Sequence, residues 1–268
     1  MRSRTVVIGS TKGGVNKTSL AANLAHEAAR LGLRVLLVDV DGGGGMSSLA
    51  AAYAPKGMAS ITDVISGDAP VTYYPVARWT PDGDEPWQQG GPAIKGGSIA
   101  ILPAAASADG QRTVSDVVSE GGATNEVRLA QALNHPALQE NIDIVFLDMP
   151  GTDNRAVIST ILHAAEHFAF PVYPKFFAYE ALNVTDSKID EWVDATGKPI
   201  NYLGGIPTSV PTRLSPGSPE RRILLRQSRW LERNSEGQVH VLAPGIEHRG
   251  IVLRAETQSL PITNLSRT

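Results

Sequence analysis

Short, uninterrupted apolar runs recur along the chain, and most stop at a glycine, an aspartate or a turn residue. They are 5–8 (TVVI), 34–38 (RVLLV), 99–102 (IAIL), 142–147 (IDIVFL), 167–172 (HFAFPV), 202–206 (YLGGI) and 239–242 (VHVL). Runs of this length without polar alternation are the pattern of parallel strands covered on both faces. Between them the period changes to that of a helix. From Lys17 to Leu31, the residues Leu20, Leu24 and Leu31 with Ala21, Ala25 and Ala28 fall on one stripe, which Gly32 ends. Residues 177–195 repeat the pattern with Ala178, Leu182, Ile189 and Val193. Strand, helix and strand over 5–38 make a βαβ unit, which requires a right-handed crossover and a parallel sheet. The predicted fold class is α/β: a doubly wound, mostly parallel sheet with helices on both faces. Residues 80–97, rich in Gly, Pro and acids, predict an irregular surface loop. No repeat or break in composition divides the chain, so 1–268 reads as a single domain.

Composition narrows the chemistry. The 268 residues are 42% hydrophobic and 19% charged, enough for one large core and too apolar for wholesale disorder. Cysteine is absent, which excludes disulfides, thiolate zinc, cysteine nucleophiles and cysteine-held iron–sulfur clusters. No apolar run is long enough to span a membrane. The apolar stretch after the basic start is only Val6–Ile8, too short for a signal peptide. A soluble cytoplasmic protein is the expectation. Among six histidines, His163 and His167 alone have metal-like spacing, without the acid of an HExxH motif; they read as helix-end or core residues.

The strongest local signal is residues 9–19, GSTKGGVNKTS. A buried strand ends, a glycine-rich turn follows, and Lys-Thr opens a helix. Backbone N–H groups and the positive helix terminus then face an anion, Lys17 reaches the outer phosphates, and the Thr18 hydroxyl serves Mg²⁺. The strict pattern G-x-x-x-x-G-K-[ST] fails at one position, where Asn16 replaces the second glycine. Asp39, Asp41 and Asp148 each follow a predicted strand at the sheet's carboxyl edge, where ligands of open parallel sheets bind.

KGGVNKTS resembles the deviant Walker A motif KGGVGKTS of the ParA/MinD group of P-loop ATPases. Residues 22–41 are similar to that family's first helix and second strand, IDIVFLDMPG (142–151) to its Walker B strand and switch II, and 163–182 to the segment that follows. The resemblance implies an ATPase using ATP and Mg²⁺. The cradle would be Lys12, Gly13, Gly14, Val15, Asn16, Lys17, Thr18 and Ser19. Lys12 would reach the partner's nucleotide across a homodimer sandwich, Asp41 would position the attacking water, and Asp148 with Thr18 and Asp39 would form the metal shell. It also implies a ParA-like partition protein that binds double-stranded DNA nonspecifically and is stimulated by a ParB-like centromere-binding partner, segregating a plasmid or chromosome on the nucleoid. The tail lacks a MinD-like amphipathic basic helix, so no membrane partner is expected.

Two departures fall in the site. Asn tolerates the left-handed backbone a loop glycine supplies, but brings a side chain toward the phosphates. After Asp41 the chain reads Gly42–Gly45 where the family carries polar switch residues. Both predict slow turnover. The alternative is a nonhydrolysing DNA-binding scaffold with an altered nucleotide site.

Charge is unevenly placed. The overall formal charge is -3, yet residues 201–268 hold nine Arg, no Lys and five Glu, a local excess of +4. In a predicted helix over 219–235, Arg222, Arg226, Arg229 and Arg233 share one face, with Ile223, Leu224, Trp230 and Leu231 as the apolar side. Spacing alone fits a solvated basic face as well as a phosphate-tracking stripe. The resemblance favours the stripe and adds Arg213 and Arg249 as DNA-binding candidates.

Overall fold

In the computed structural model the described residues are 2–41, 44–50, 59–76, 86–87, 91–92, 97–104, 112–211 and 215–234. Seven strands form one sheet: β1 (Arg4–Ile8), β2 (Arg34–Asp39), β3 (Tyr74–Pro75), β6 (Ser98–Leu102), β7 (Ile144–Asp148), β8 (His167–Val172) and β9 (Asn201–Pro207). Their order is β3-β6-β2-β7-β1-β8-β9. All neighbours are parallel except edge strand β3, which runs against β6. A separate two-residue ribbon pairs β4 (Pro86–Trp87) with β5 (Gly91–Pro92), inside the stretch expected to be irregular. The strand expected at 239–242 lies outside the described residues.

Side chains alternate across the sheet. Val6, Ile8, Val35, Leu37 and Phe146 share a core with Leu20, Ala21 and Ala25 of α1 (Lys17–Arg30) and Met46 of α2 (Gly45–Ala50). Val7, Leu36, Val38, Val145 and Leu147 face the other way, into a larger core. That core is closed by α3 (Ile61–Ser66), α4 (Val114–Leu133), α5 (Pro136–Asn141), α6 (Arg155–Ala164), α7 (Phe176–Thr196) and α8 (Pro219–Asn234). Both faces are covered, which is why the strands carry continuous apolar runs.

Register positions the chemistry. Ile8 pairs with Asp148 and Asp39 pairs with Asp148, so three adjacent strands end level. Because side chains alternate, a one-residue slip would point Asp148 to the opposite face. The expected strand 142–147 begins two residues later, because Ile142 closes α5, and it extends to Asp148. α4 is kinked at Gly122 (φ 54°, ψ -143°), a conformation open to glycine. His163 lies in the last turn of α6 and packs edge-on against Trp192 with centroids 5.1 Å apart, while His167 begins β8; the two share no helix face.

Candidate nucleotide-binding site

The phosphate loop runs from the end of β1 into α1 and is braced from both sides. The Thr11 amide donates to Thr185 Oγ1 of α7 at 3.0 Å, and the Thr208 hydroxyl beyond β9 donates to the Val15 carbonyl at 3.1 Å. Gly14 holds φ 73°, and a side chain at Gly13 or Gly14 would meet no atom within 4 Å, so the loop borders open space. Gly151, after β7, lies against the loop from below: a Cβ there would stand 2.6 Å from the Gly13 amide nitrogen. Any larger residue at 151 would push the two segments apart.

Lys17 is 7% exposed and donates its Nζ to the Lys12 carbonyl at 2.7 Å. Burial lowers its pKa, against the raising influence of Asp148 and Asp41. A buried ammonium held, among the described residues, by one carbonyl suits a site that receives an anion. Thr18 Oγ1 donates to Asp148 Oδ2 at 2.7 Å. Asp148 Oδ1 is buried and receives no hydrogen bond from a described residue. Burial pushes Asp148 up to about 8, opposed by the Thr18 hydrogen bond and assisted by Asp39.

Asp39 is organised differently. Its Oδ2 accepts from the Ser47 amide and hydroxyl, both at 2.6 Å, and its Oδ1 accepts from the Asp41 amide at 3.2 Å. Burial raises its pKa to about 6, against those hydrogen bonds. Asp39 thus ties the segment after β2 to α2, and the Ser47 hydroxyl also accepts from the Ala104 amide at 2.9 Å. Among the described residues no three His, Asp or Glu side chains converge as a metal cage. The donors that fit a cation are one hydroxyl and one carboxylate with a spare oxygen, the sparse oxygen set typical of Mg²⁺ held jointly with phosphate and water.

Lys12 rests its ammonium 4.5 Å from the centre of the Phe177 ring, a side chain 63% exposed at the start of α7. Asn16 takes φ 64°, the conformation for which glycine is ordinarily used, and its amide reaches Ser209 Oγ at 2.6 Å. The loop from Lys12 to Ser19, Asp39, Asp41 and Asp148 therefore come together at one sheet edge. Ser47, Gly151, Phe177, Thr208 and Ser209 join them, and no periodicity marks those five residues. Gly42 and Gly43 lie outside the described residues, as do Arg213 and Arg249.

The arginine stripe stands apart on α8. Leu231 and Gln227 are buried, Gln227 Nε2 donates to the Tyr173 carbonyl at 3.1 Å, and Leu224 and Trp230 pack on the core. Arg222, Arg226, Arg229 and Arg233 are exposed, and Arg226 lies 5.4 Å from the Tyr179 ring centre.

Residues 6–219 match the family described as the CobQ/CobB/MinD/ParA nucleotide binding domain. The chain belongs to that family. Among its members, the chromosome partitioning protein ParA of Caulobacter vibrioides is 30% identical over 181 residues, 67% of this chain and 59% of that protein. The chromosome-partitioning ATPase Soj of Thermus thermophilus is 32% identical over 182 residues, 67% of this chain and 58% of that protein. The chain spans less than two thirds of the length of these relatives. The fold of a Cyanothece McdA variant solved with ATP superposes with a TM-score of 0.77 at 18% identity, covering 99% of this chain and 91% of that one. The doubly wound ParA/MinD fold read from the sequence is the fold observed. No helix among the described residues is long and apolar enough to cross a membrane.

Proposed function

We propose that this chain is a ParA-like partition ATPase that dimerises on ATP, binds DNA without sequence preference in that state, and is released when a ParB-like partner stimulates hydrolysis. The observation that carries the reading is the 2.7 Å hydrogen bond from Thr18 to Asp148, which joins the phosphate loop to a buried carboxylate whose other oxygen accepts from no described residue. Lys17 neutralises the phosphates. Thr18 and Asp148 would hold Mg²⁺, and Asp39 fixes the segment carrying Asp41, which would orient the attacking water. Lys12 leaves Phe177 to reach the partner's nucleotide. Bound ATP supplies the anhydride whose cleavage resets the cycle. Basal turnover is slow, because Asn16 occupies a glycine position and glycines follow Asp41. The exposed face of α8 tracks the DNA backbone, with Arg213 and Arg249 as additional contacts, and the protein works on the nucleoid. Nucleotide-dependent DNA binding by the purified chain tests the proposal.

A further inference from the structure

Two non-glycine residues among those described hold positive φ: Asn16 at 64° and Ser209 at 51°. They lie 193 positions apart, yet their side chains meet, with Asn16 Nδ2 donating to Ser209 Oγ at 2.6 Å. The adjacent Thr208 is fully buried; it donates its hydroxyl to Val15 and its amide to the Val172 carbonyl at 2.8 Å. Unfavourable backbone conformations persist only where the surroundings over-determine them, and they gather at working sites. Here both meet at one hydrogen bond on the phosphate loop.

Asn16 is also the N-cap of α1. Asparagine at that place ordinarily turns its side-chain oxygen onto the amides of the first turn. Asn16 makes no such bond. Its side chain instead donates to Ser209, in the chain leaving β9. The first-turn amides are the groups an anion uses at a helix N-terminus.

We infer that Ser209 is a positioning residue: it holds the Asn16 side chain off the N-terminus of α1 and so keeps that terminus open to the phosphates of a nucleotide. The inference rests on reading the loop as a triphosphate site. It explains how a side chain stands where the family motif has glycine. Released from Ser209, Asn16 competes with phosphate for the first-turn amides. With glycine at position 16 there is nothing to restrain, and Ser209 becomes dispensable.

Calorimetric titration of ATP with Mg²⁺ into the full chain decides it, using wild type, Ser209→Gly, Asn16→Gly and the double variant. Ser209→Gly removes the hydroxyl but permits the left-handed backbone. The expected result is about tenfold weaker binding for Ser209→Gly, as for a lost restraint of one hydrogen bond. Asn16→Gly binds at least as tightly as wild type, and the double variant matches Asn16→Gly. Equal affinity of Ser209→Gly and wild type overturns the inference. So does an Asn16→Gly chain that binds as weakly as Ser209→Gly, because the hydrogen bond is then only a brace. A Ser209→Gly loss of the same size in both backgrounds also overturns it, because Ser209 then acts on its own. If Ser209→Gly loses its cooperative melt, Ser209→Ala takes its place with the same outcomes. A wild type that binds no ATP overturns the nucleotide reading itself and the inference with it.

Discussion

Asp39 and Asp148 occupy paired register positions on adjacent parallel strands, yet their carboxylates are satisfied in opposite ways. Asp39 accepts three hydrogen bonds, from the Ser47 amide and hydroxyl and from the Asp41 amide, whereas Asp148 takes one hydroxyl and leaves Oδ1 without a described donor. The first arrangement orders a segment; the second leaves capacity for a cation. Thr18→Ala removes the hydroxyl from that pair. The expected outcome is an ATP affinity about tenfold weaker in Mg²⁺ and nearly unaltered in EDTA, measured by calorimetry. Equal losses in both conditions would mean that Thr18 serves the phosphates or the loop and not the metal.

Asn16→Gly tests the loop's departure from its family pattern. Glycine adopts the left-handed conformation at less cost and clears the cradle. The rate at saturating ATP should rise, read as kcat from phosphate release. An unaltered kcat would detach slow turnover from Asn16.

The α8 stripe carries a salt-dependent prediction. Arg222 and Arg226 are exposed on one face while Leu231 and Gln227 anchor the other, so charge reversal at the first pair spares the buried anchors and removes only the Arg226 contact with the Tyr179 ring. Arg222→Glu with Arg226→Glu should weaken duplex binding and reduce the slope of log affinity against log salt by about 2. Unaltered affinity and slope would remove these two arginines from the interface.

How far the fold and site could be read in advance depends on what kind of signal each part emits. β1, β2 and β8 were plain because a strand covered on both faces must be apolar throughout. α7 was plain because its apolar stripe runs over nearly the whole helix, with Thr185 at the one polar position in it. α4 is not marked in that way: Gly121 and Gly122 interrupt its apolar pattern in mid-helix, and the structure accommodates them with a kink at Gly122. The two-residue edge strand β3 is too short to show a period. In the site, the loop and three strand-end acids were legible as local motifs at one sheet edge. Ser47 and Ser209 were not, because a hydroxyl contact made only in the folded chain leaves no periodic trace. Ser47 stands eight residues from Asp39, and Ser209 stands 193 from Asn16.

His26, fully buried on α1, gives a pH prediction for stability. Burial lowers its pKa from 6.5 to about 4, with Glu27 opposing the shift and Arg30 assisting it. Above pH 6.5 the residue is neutral in both states and has no protonation cost. Between 6.5 and 4 the unfolded chain binds a proton that the folded chain refuses, so stability falls by about 1.4 kcal/mol per unit as pH drops. His26→Leu removes this contribution. The unfolding free energy of the variant minus that of wild type should therefore grow by ~3 kcal/mol from pH 6.5 to 4 in denaturant titrations. A difference independent of pH would contradict the buried, neutral assignment.

The proposed function requires that nucleotide at this loop control DNA binding elsewhere on the molecule. Its most direct measurement is the affinity of the purified chain for a nonspecific DNA duplex with ATP and Mg²⁺, with ADP and Mg²⁺, and without nucleotide, with the oligomeric state followed in parallel by sedimentation. The expected result is a dimer and tight DNA binding only with ATP and Mg²⁺, and a weakly binding monomer in the other two conditions. DNA binding of equal strength in all three conditions would contradict it and favour a scaffold whose nucleotide site no longer governs its function.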